Sequence, residues 1–111
     1  MPTEQEVRVY ARSDGSEPFT QWLRGLRDGA TRNRIRQRIA WLRLGNFGDA
    51  RSVGDGVQEL RIHFGPGYRV YFGREADALV ILLCGGDKGS QDRDIEWAQE
   101  YWRDHRRRSD G

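Results

Sequence analysis

Two arginines, a histidine and a tyrosine share one face of a single stretch, Gln58 to Phe72, and together they suit phosphate chemistry. The stretch reads Gln-Glu-Leu-Arg-Ile-His-Phe-Gly-Pro-Gly-Tyr-Arg-Val-Tyr-Phe, with apolar and polar residues alternating on both sides of Gly65-Pro66-Gly67. Alternation at period two sorts side chains onto opposite faces of a sheet, and a short glycine-bearing loop closes two such strands into a hairpin. A three-residue loop would pair Phe64 with Tyr68, Ile62 with Val70 and Leu60 with Phe72 on the apolar face. On the other face it would set His63 against Arg69 and Arg61 against Tyr71, with opposed Cβ atoms about 5 Å apart.

Like charges on adjacent strands repel unless an anion lies between them, so Arg61 and Arg69 suit a phosphate or its pentavalent transition state. His63 is the only group of the patch whose reference pKa lies near neutrality, which fits it for general acid or base work. Tyr71 can stack on a base or bond a phosphate. Lys88 sits in Gly85-Gly86-Asp87-Lys88-Gly89, where two glycines permit an unusual backbone and the lysine can swing over the sheet. Each residue also has a plainer reading: a solvated strand arginine, a histidine at a hairpin end, a cross-strand packing tyrosine, a loop lysine bridging to Asp87.

These residues need a scaffold, and 111 residues suffice for one domain with one core. Hydrophobic residues make up 36% and charged residues 32%, which is polar for the length yet too rich in patterned aromatics for a disordered chain. The longest apolar run, Ala78 to Cys84, is too short for a bilayer span. Met1 to Glu6 is polar and acidic, unlike a signal peptide, and the single cysteine, Cys84, fits a reducing cytoplasm. Cys84 ends an apolar run and reads as a core residue. No spacing of His, Cys, Asp and Glu suggests a metal, and no cofactor is called for.

Eighteen of the 19 basic residues are arginine, the side chain suited to bidentate phosphate contact and to stacking. Eight of them crowd Arg24 to Arg51 against only Asp28 and Asp49. Five of these, Arg32, Arg34, Arg36, Arg38 and Arg43, belong to one helical segment and are candidates for binding RNA or an acidic partner.

The supporting elements follow in order. Val7 to Tyr10 reads as a strand. Pro18 opens a helix with an apolar stripe of Phe19, Trp22, Leu23 and Leu26, which Gly29 stops. Thr31 caps a second helix with Ile35, Ile39, Trp41 and Leu42 facing inward, ended by Gly45. Gly45 to Val57 reads as a loop with four glycines but without the Gly-Lys-Ser/Thr of a phosphate-cradling loop. After the hairpin, Glu75-Ala76-Asp77 turns the chain into an all-apolar strand, Leu79 to Leu83, covered on both faces. Ser90 caps a last helix with Ile95, Ala98 and Trp102 inside, fraying from about Arg106 to Gly111. The order β-α-α-β-β-β-α makes a single α+β domain over residues 1–111, with a small, mostly antiparallel sheet.

Several segments together resemble a known family. They are Phe19-Thr-Gln-Trp-Leu, Arg43-Leu-Gly-Asn-Phe-Gly-Asp49, Val53-Gly-Asp-Gly-Val57, the hairpin from Glu59 to Tyr71, Leu82-Leu-Cys-Gly-Gly-Asp-Lys88 and Asp94-Ile95. From about Val7 to Trp102 the chain resembles the addiction-module killer proteins, a HigB-like branch of the RelE/ParE toxin superfamily. The resemblance implies a compact α+β toxin of a type II toxin–antitoxin pair in the cytoplasm. Its partner would be a neighbouring antitoxin, often of helix-turn-helix type, through which operator DNA is reached indirectly. RelE-like and HigB-like members cleave mRNA on the ribosome without a metal, promoting attack of the ribose 2′-hydroxyl on the adjacent phosphate.

By position, Arg69 matches the arginine that supports catalysis in that family. Arg61 falls where a basic residue of the preceding strand sits, and Lys88 falls near the basic residue after the last strand. The chain departs from the pattern in two places. Asp94 and Ile95 stand where some RelE members carry a tyrosine, and Glu59 stands where another basic residue is expected. Arginine stays charged and is a poor proton acceptor, so proton transfer falls to His63, with Tyr71 second. Two other readings stand beside the mRNA interferase: a ParE-like inhibitor of DNA gyrase, and a non-catalytic module that binds RNA or its antitoxin.

Overall fold

A computed structural model describes residues 3–110, the side chain of Asp110 excepted. The elements are β1 (Glu6–Val9), α1 (Pro18–Gly25), α2 (Gly29–Arg43), β2 (Ala50–Gly54), β3 (Val57–Ile62), β4 (Tyr68–Glu75), β5 (Leu79–Gly86) and α3 (Gln91–Asp110), with a single 3₁₀ turn at Lys88–Ser90. The five strands form one sheet in the order β1-β5-β4-β3-β2. Only the β1–β5 pair is parallel, so the fold is α+β with a mostly antiparallel sheet, as its pattern predicts.

The sheet is covered on both faces. Phe19 and Leu23 of α1 and Ile35, Ile39 and Leu42 of α2 pack on Leu60, Ile62, Val70, Phe72, Val80 and Leu82. Tyr101, Trp102 and Ala98 of α3 pack on Val57, Tyr71, Ile81, Leu83 and Cys84 from the opposite side. β5 therefore alternates between the two cores, as an all-apolar central strand must. A bulge against β4 breaks the alternation at its end and turns both Leu83 and Cys84 toward α3. Burial pushes the Cys84 thiol up to about 12, so it stays neutral.

Five local expectations need correction. The Gly45 to Val57 segment is not all loop, because β2 lies within it and pairs antiparallel with β3. Asp55 and Gly56 both have positive φ and join Gly54 to Val57, the two-residue turn that Asp-Gly favours. Helix α1 stops at Gly25, and Gly29 opens α2 rather than ending α1. Asp28, not Thr31, caps α2: its carboxylate accepts from Ala30 N at 3.1 Å and from Thr31 Oγ1 at 2.9 Å. Trp41 is not inward but 42% exposed. Helix α3 runs on through the expected frayed end to Asp110, where Arg108 ties back to Asp104 and to the Ala11 carbonyl.

The hairpin register also differs. Arg61 lies opposite Arg69, Glu59 opposite Tyr71 and Leu60 opposite Val70. The loop holds five residues rather than three, since pairing ends at Ile62 and Tyr68, with Gly65 and Gly67 both at positive φ. A slip of two residues leaves every side chain on its expected face while changing its partner.

Gly85 and Gly86 do not leave β5; they end it. Their role is close approach, not unusual backbone: a Cβ at Gly85 would overlap the Trp22 ring, and one at Gly86 would overlap Asp94. Gly85→Ala is therefore expected to destabilise the fold by about 1–3 kcal/mol, the usual range for overpacking, as read by urea unfolding. An unchanged midpoint would mean that Trp22 has room to swing away.

Candidate functional site

Strand pleating places Glu59, Arg61 and Tyr71 on the α3 side of the sheet, and pairing brings Arg51 and Arg69 beside them. The result is a network centred on Glu59, whose side chain is fully buried. Glu59 Oε1 accepts from Arg51 Nε at 3.1 Å, Arg61 Nε at 3.3 Å and Arg69 Nη1 at 3.0 Å. Its Oε2 accepts from Tyr71 OH and from Gln91 Nε2, each at 3.0 Å. Burial alone would raise the Glu59 pKa, but the hydrogen bonds from Arg51, Gln91, Tyr71 and Arg61 outweigh it and hold the carboxyl at about 2. The anion expected between Arg61 and Arg69 is thus supplied by the protein itself. Three guanidiniums around one carboxylate still leave an excess of two positive charges.

Members of the network differ in what they can reach. Arg69 is 9% exposed, and its Nε is buried with no partner. Tyr71 is fully enclosed, its hydroxyl given to Glu59, and burial with the adjacent carboxylate raises its pKa. Tyr71 therefore orders Glu59 and offers no free ring face for a base. The Arg61 and Arg51 side chains are 32% and 50% exposed, so these two present the excess charge to solvent.

Lys88 is exposed beside the β3–β4 loop, its Cβ 3.5 Å from where a Cβ on Gly67 would lie. It lines a cleft of about 390 Å³ together with Gln91, the residue that bonds Glu59, but itself makes no hydrogen bond to the network among the described residues. Asp87 caps the turn that carries Lys88, accepting from Gly89 N at 2.8 Å and Ser90 N at 3.2 Å. Ser90, the expected cap of α3, instead bonds the buried Asp94, whose pKa burial raises.

His63 is not opposite Arg69. Its side chain is 74% exposed and its Nε2 lies 2.6 Å from Asp49 Oδ2. A carboxylate on one ring nitrogen fixes the tautomer and leaves Nδ1 free to take a proton. His63, Asp49 and Arg61 line a second cleft with Arg34, Arg38 and Trp41 of α2. Among the described residues, Arg61 alone both lines this cleft and bonds Glu59.

The five arginines of α2 do not form one surface. Arg34 and Arg38 line the His63 cleft, whereas Arg36 and Arg43 border a groove beside Val7 and Val9 on another side of the helix. Arg32 bonds the Leu26 carbonyl at the start of α2. The residues that sequence reasoning passed over are Glu59, Arg51, Asp49 and Gln91. Of these, Glu59 carried a signal, since it shares the period-two face of Arg61 and His63. Arg51, Asp49 and Gln91 reach the site only through tertiary contacts.

No protein-family model matches this chain. An uncharacterized protein of Haemophilus influenzae is 52% identical to it over 81 residues, covering 73% of this chain and 82% of that protein. At that identity and coverage, the chain belongs to the same family as the Haemophilus influenzae protein.

Proposed function

We propose that this protein is the toxin of a type II toxin–antitoxin pair, a metal-independent endoribonuclease that cleaves mRNA on the ribosome. The observation that carries the reading is the convergence of Arg51, Arg61 and Arg69 on the single buried carboxylate of Glu59. Such a network costs a great deal to bury, yet it holds guanidiniums in fixed orientation with surplus positive charge, as a pentavalent phosphate requires. Its position on the hairpin that resembles the RelE/ParE toxins supports the same reading. The cognate antitoxin, mRNA and the ribosome are the partners this reading brings, with operator DNA reached through the antitoxin.

In the proposed reaction His63 Nδ1 takes the proton of a ribose 2′-hydroxyl, and the 2′-oxygen attacks the adjacent phosphorus. Arg61, Arg69 and Lys88 neutralise the charge that develops on the phosphoryl oxygens. The bond from phosphorus to the 5′-oxygen breaks, and that oxygen takes up a proton, leaving a 2′,3′-cyclic phosphate and a 5′-hydroxyl. The burial of Arg69 and Tyr71 within the Glu59 network favours a second reading, a module that binds RNA or its antitoxin with these two residues serving the fold.

Brief induction in bacteria lacking the antitoxin separates the readings. Rapid translation arrest with new in-frame mRNA 5′ ends is the expected result. Arrest of DNA synthesis with intact mRNA would replace the nuclease by a gyrase inhibitor. No arrest of either, from soluble protein, would leave the binding module.

A further inference from the structure

The cleft between α2 and the end of β3 encloses about 360 Å³ and is built differently from the Glu59 network. Its two α2 cations are unspent, whereas Arg61 is given to Glu59. Among the described residues, Arg34 and Arg38 make no ion pair, and each is held by an aromatic ring instead. The Arg34 guanidinium lies 4.4 Å from the Phe64 ring centre, and that of Arg38 lies 5.5 Å from the Trp41 ring centre. Stacking of this kind fixes a guanidinium in place while leaving its N–H groups free for an anion.

The loop after α2 passes close to one of these guanidiniums. A Cβ at Gly48 would stand 2.6 Å from Arg38 Nη2, and Gly48 has a φ of +60°. The positive φ favours glycine there, and a Cβ would push the Arg38 tip aside. Trp41, meanwhile, keeps 42% of its surface exposed at a helix position where burial was expected. Among the described residues, the only carboxylate lining the cleft is Asp49, which is engaged by His63. Two fixed cations, one open indole face and no free acid form a recognition surface for phosphate joined to a flat ring.

We propose that this cleft is a nucleotide subsite for single-stranded RNA, holding one backbone phosphate between Arg34 and Arg38 while Trp41 stacks the attached base. The proposal extends the ribonuclease reading by taking RNA as the ligand, but it requires no cleavage. A single strand fits because its bases are free to offer a π-face, which a duplex withholds. An acidic peptide would use the cations and leave the indole without a partner.

The test is titration of the purified protein with short oligoadenylate, read as tryptophan fluorescence and repeated over a range of salt. Quenching is expected in the native protein and loss of most of it in Trp41→Phe, which identifies the ring among the four tryptophans. Trp41→Ala should weaken binding about tenfold, the usual worth of one stacked base. Arg34→Gln with Arg38→Gln should make the salt slope shallower by about 0.7, the value for one phosphate contact on a single strand. Arg34 and Trp41 face solvent, and a thermal melt of each variant checks that it folds.

Unchanged affinity and slope in the double variant would overturn the subsite, as would equal binding of duplex RNA or effective competition by polyglutamate. The outcome is separable from that of the ribonuclease reading. Cleavage on ribosomes with oligonucleotide binding indifferent to these variants removes the subsite alone. Binding that follows the variants in a protein that arrests nothing removes the nuclease and leaves the subsite standing.

Discussion

Glu59→Ala is expected to lower the stability of the fold by about 3–5 kcal/mol, the cost of breaking a buried ion pair from one side. The substitution strands Arg69, which is 9% exposed and makes its charge-paired hydrogen bond to Glu59. It also removes the acceptor from the enclosed Tyr71 hydroxyl and from Gln91. Glu59→Gln preserves shape but offers one oxygen to five donors, so a loss between that of alanine and zero is expected. Guanidinium unfolding gives the comparison directly. If Glu59→Ala shifts the midpoint no more than an exposed substitution does, the carboxylate does not organise the cluster.

The same residue sets an acid limb. Its folded pKa of about 2 lies below the ordinary 4.5, so the unfolded chain binds the extra proton. Stability from Glu59 is therefore fully present above about pH 4.5 and is lost as pH falls from there toward 2. The difference corresponds to about 3 kcal/mol. Glu59→Gln should flatten this limb while leaving the slope above pH 5 alone, and a limb of unchanged steepness would assign the acid sensitivity to other carboxylates.

Arg69→Ala is expected to reduce mRNA cleavage by about 10²–10³-fold, the range for losing one fixed donor at a developing oxyanion. Stability must be measured beside activity, because Arg69 also serves Glu59. After its loss Glu59 keeps Arg51, Arg61, Tyr71 and Gln91 as donors, so the fold should survive. Arg69→Lys retains charge without the planar fork and should restore stability more than activity. His63→Ala makes the control: a side chain 74% exposed contributes little to the fold, so any loss belongs to chemistry. A loss of about 10²–10⁴-fold is expected for removal of the proton acceptor. Full cleavage by His63→Ala with none by Arg69→Ala would end the histidine's role and move proton transfer elsewhere.

Local pattern in the chain was enough for the α+β class and for the face that each hairpin residue takes. Period-two alternation assigned Arg61, Arg69 and Tyr71 to one side of the sheet, and the apolar run at Leu79 to Leu83 announced a strand covered twice. Pairing was not legible in the same way, because a hairpin slipped by two residues keeps every face and exchanges every partner. The Asp55-Gly56 turn shows a signal that was present but read as loop, since the strand before it carries polar residues.

Only the folded sheet decided that Glu59, in a position where a basic residue was expected, is the centre of the arginine cluster. Its five donors come from β2, β3, β4 and the start of α3, and Gln91 reaches it across 32 residues of sequence. Likewise, Asp49 meets His63 only because β2 runs beside β3, and the basic helix divides its arginines among three neighbourhoods according to what packs against each side. Residue type and local period determine which side chains are available and which way they point. Which charge meets which depends on strand register and helix docking, and those are set by the burial of two separate cores.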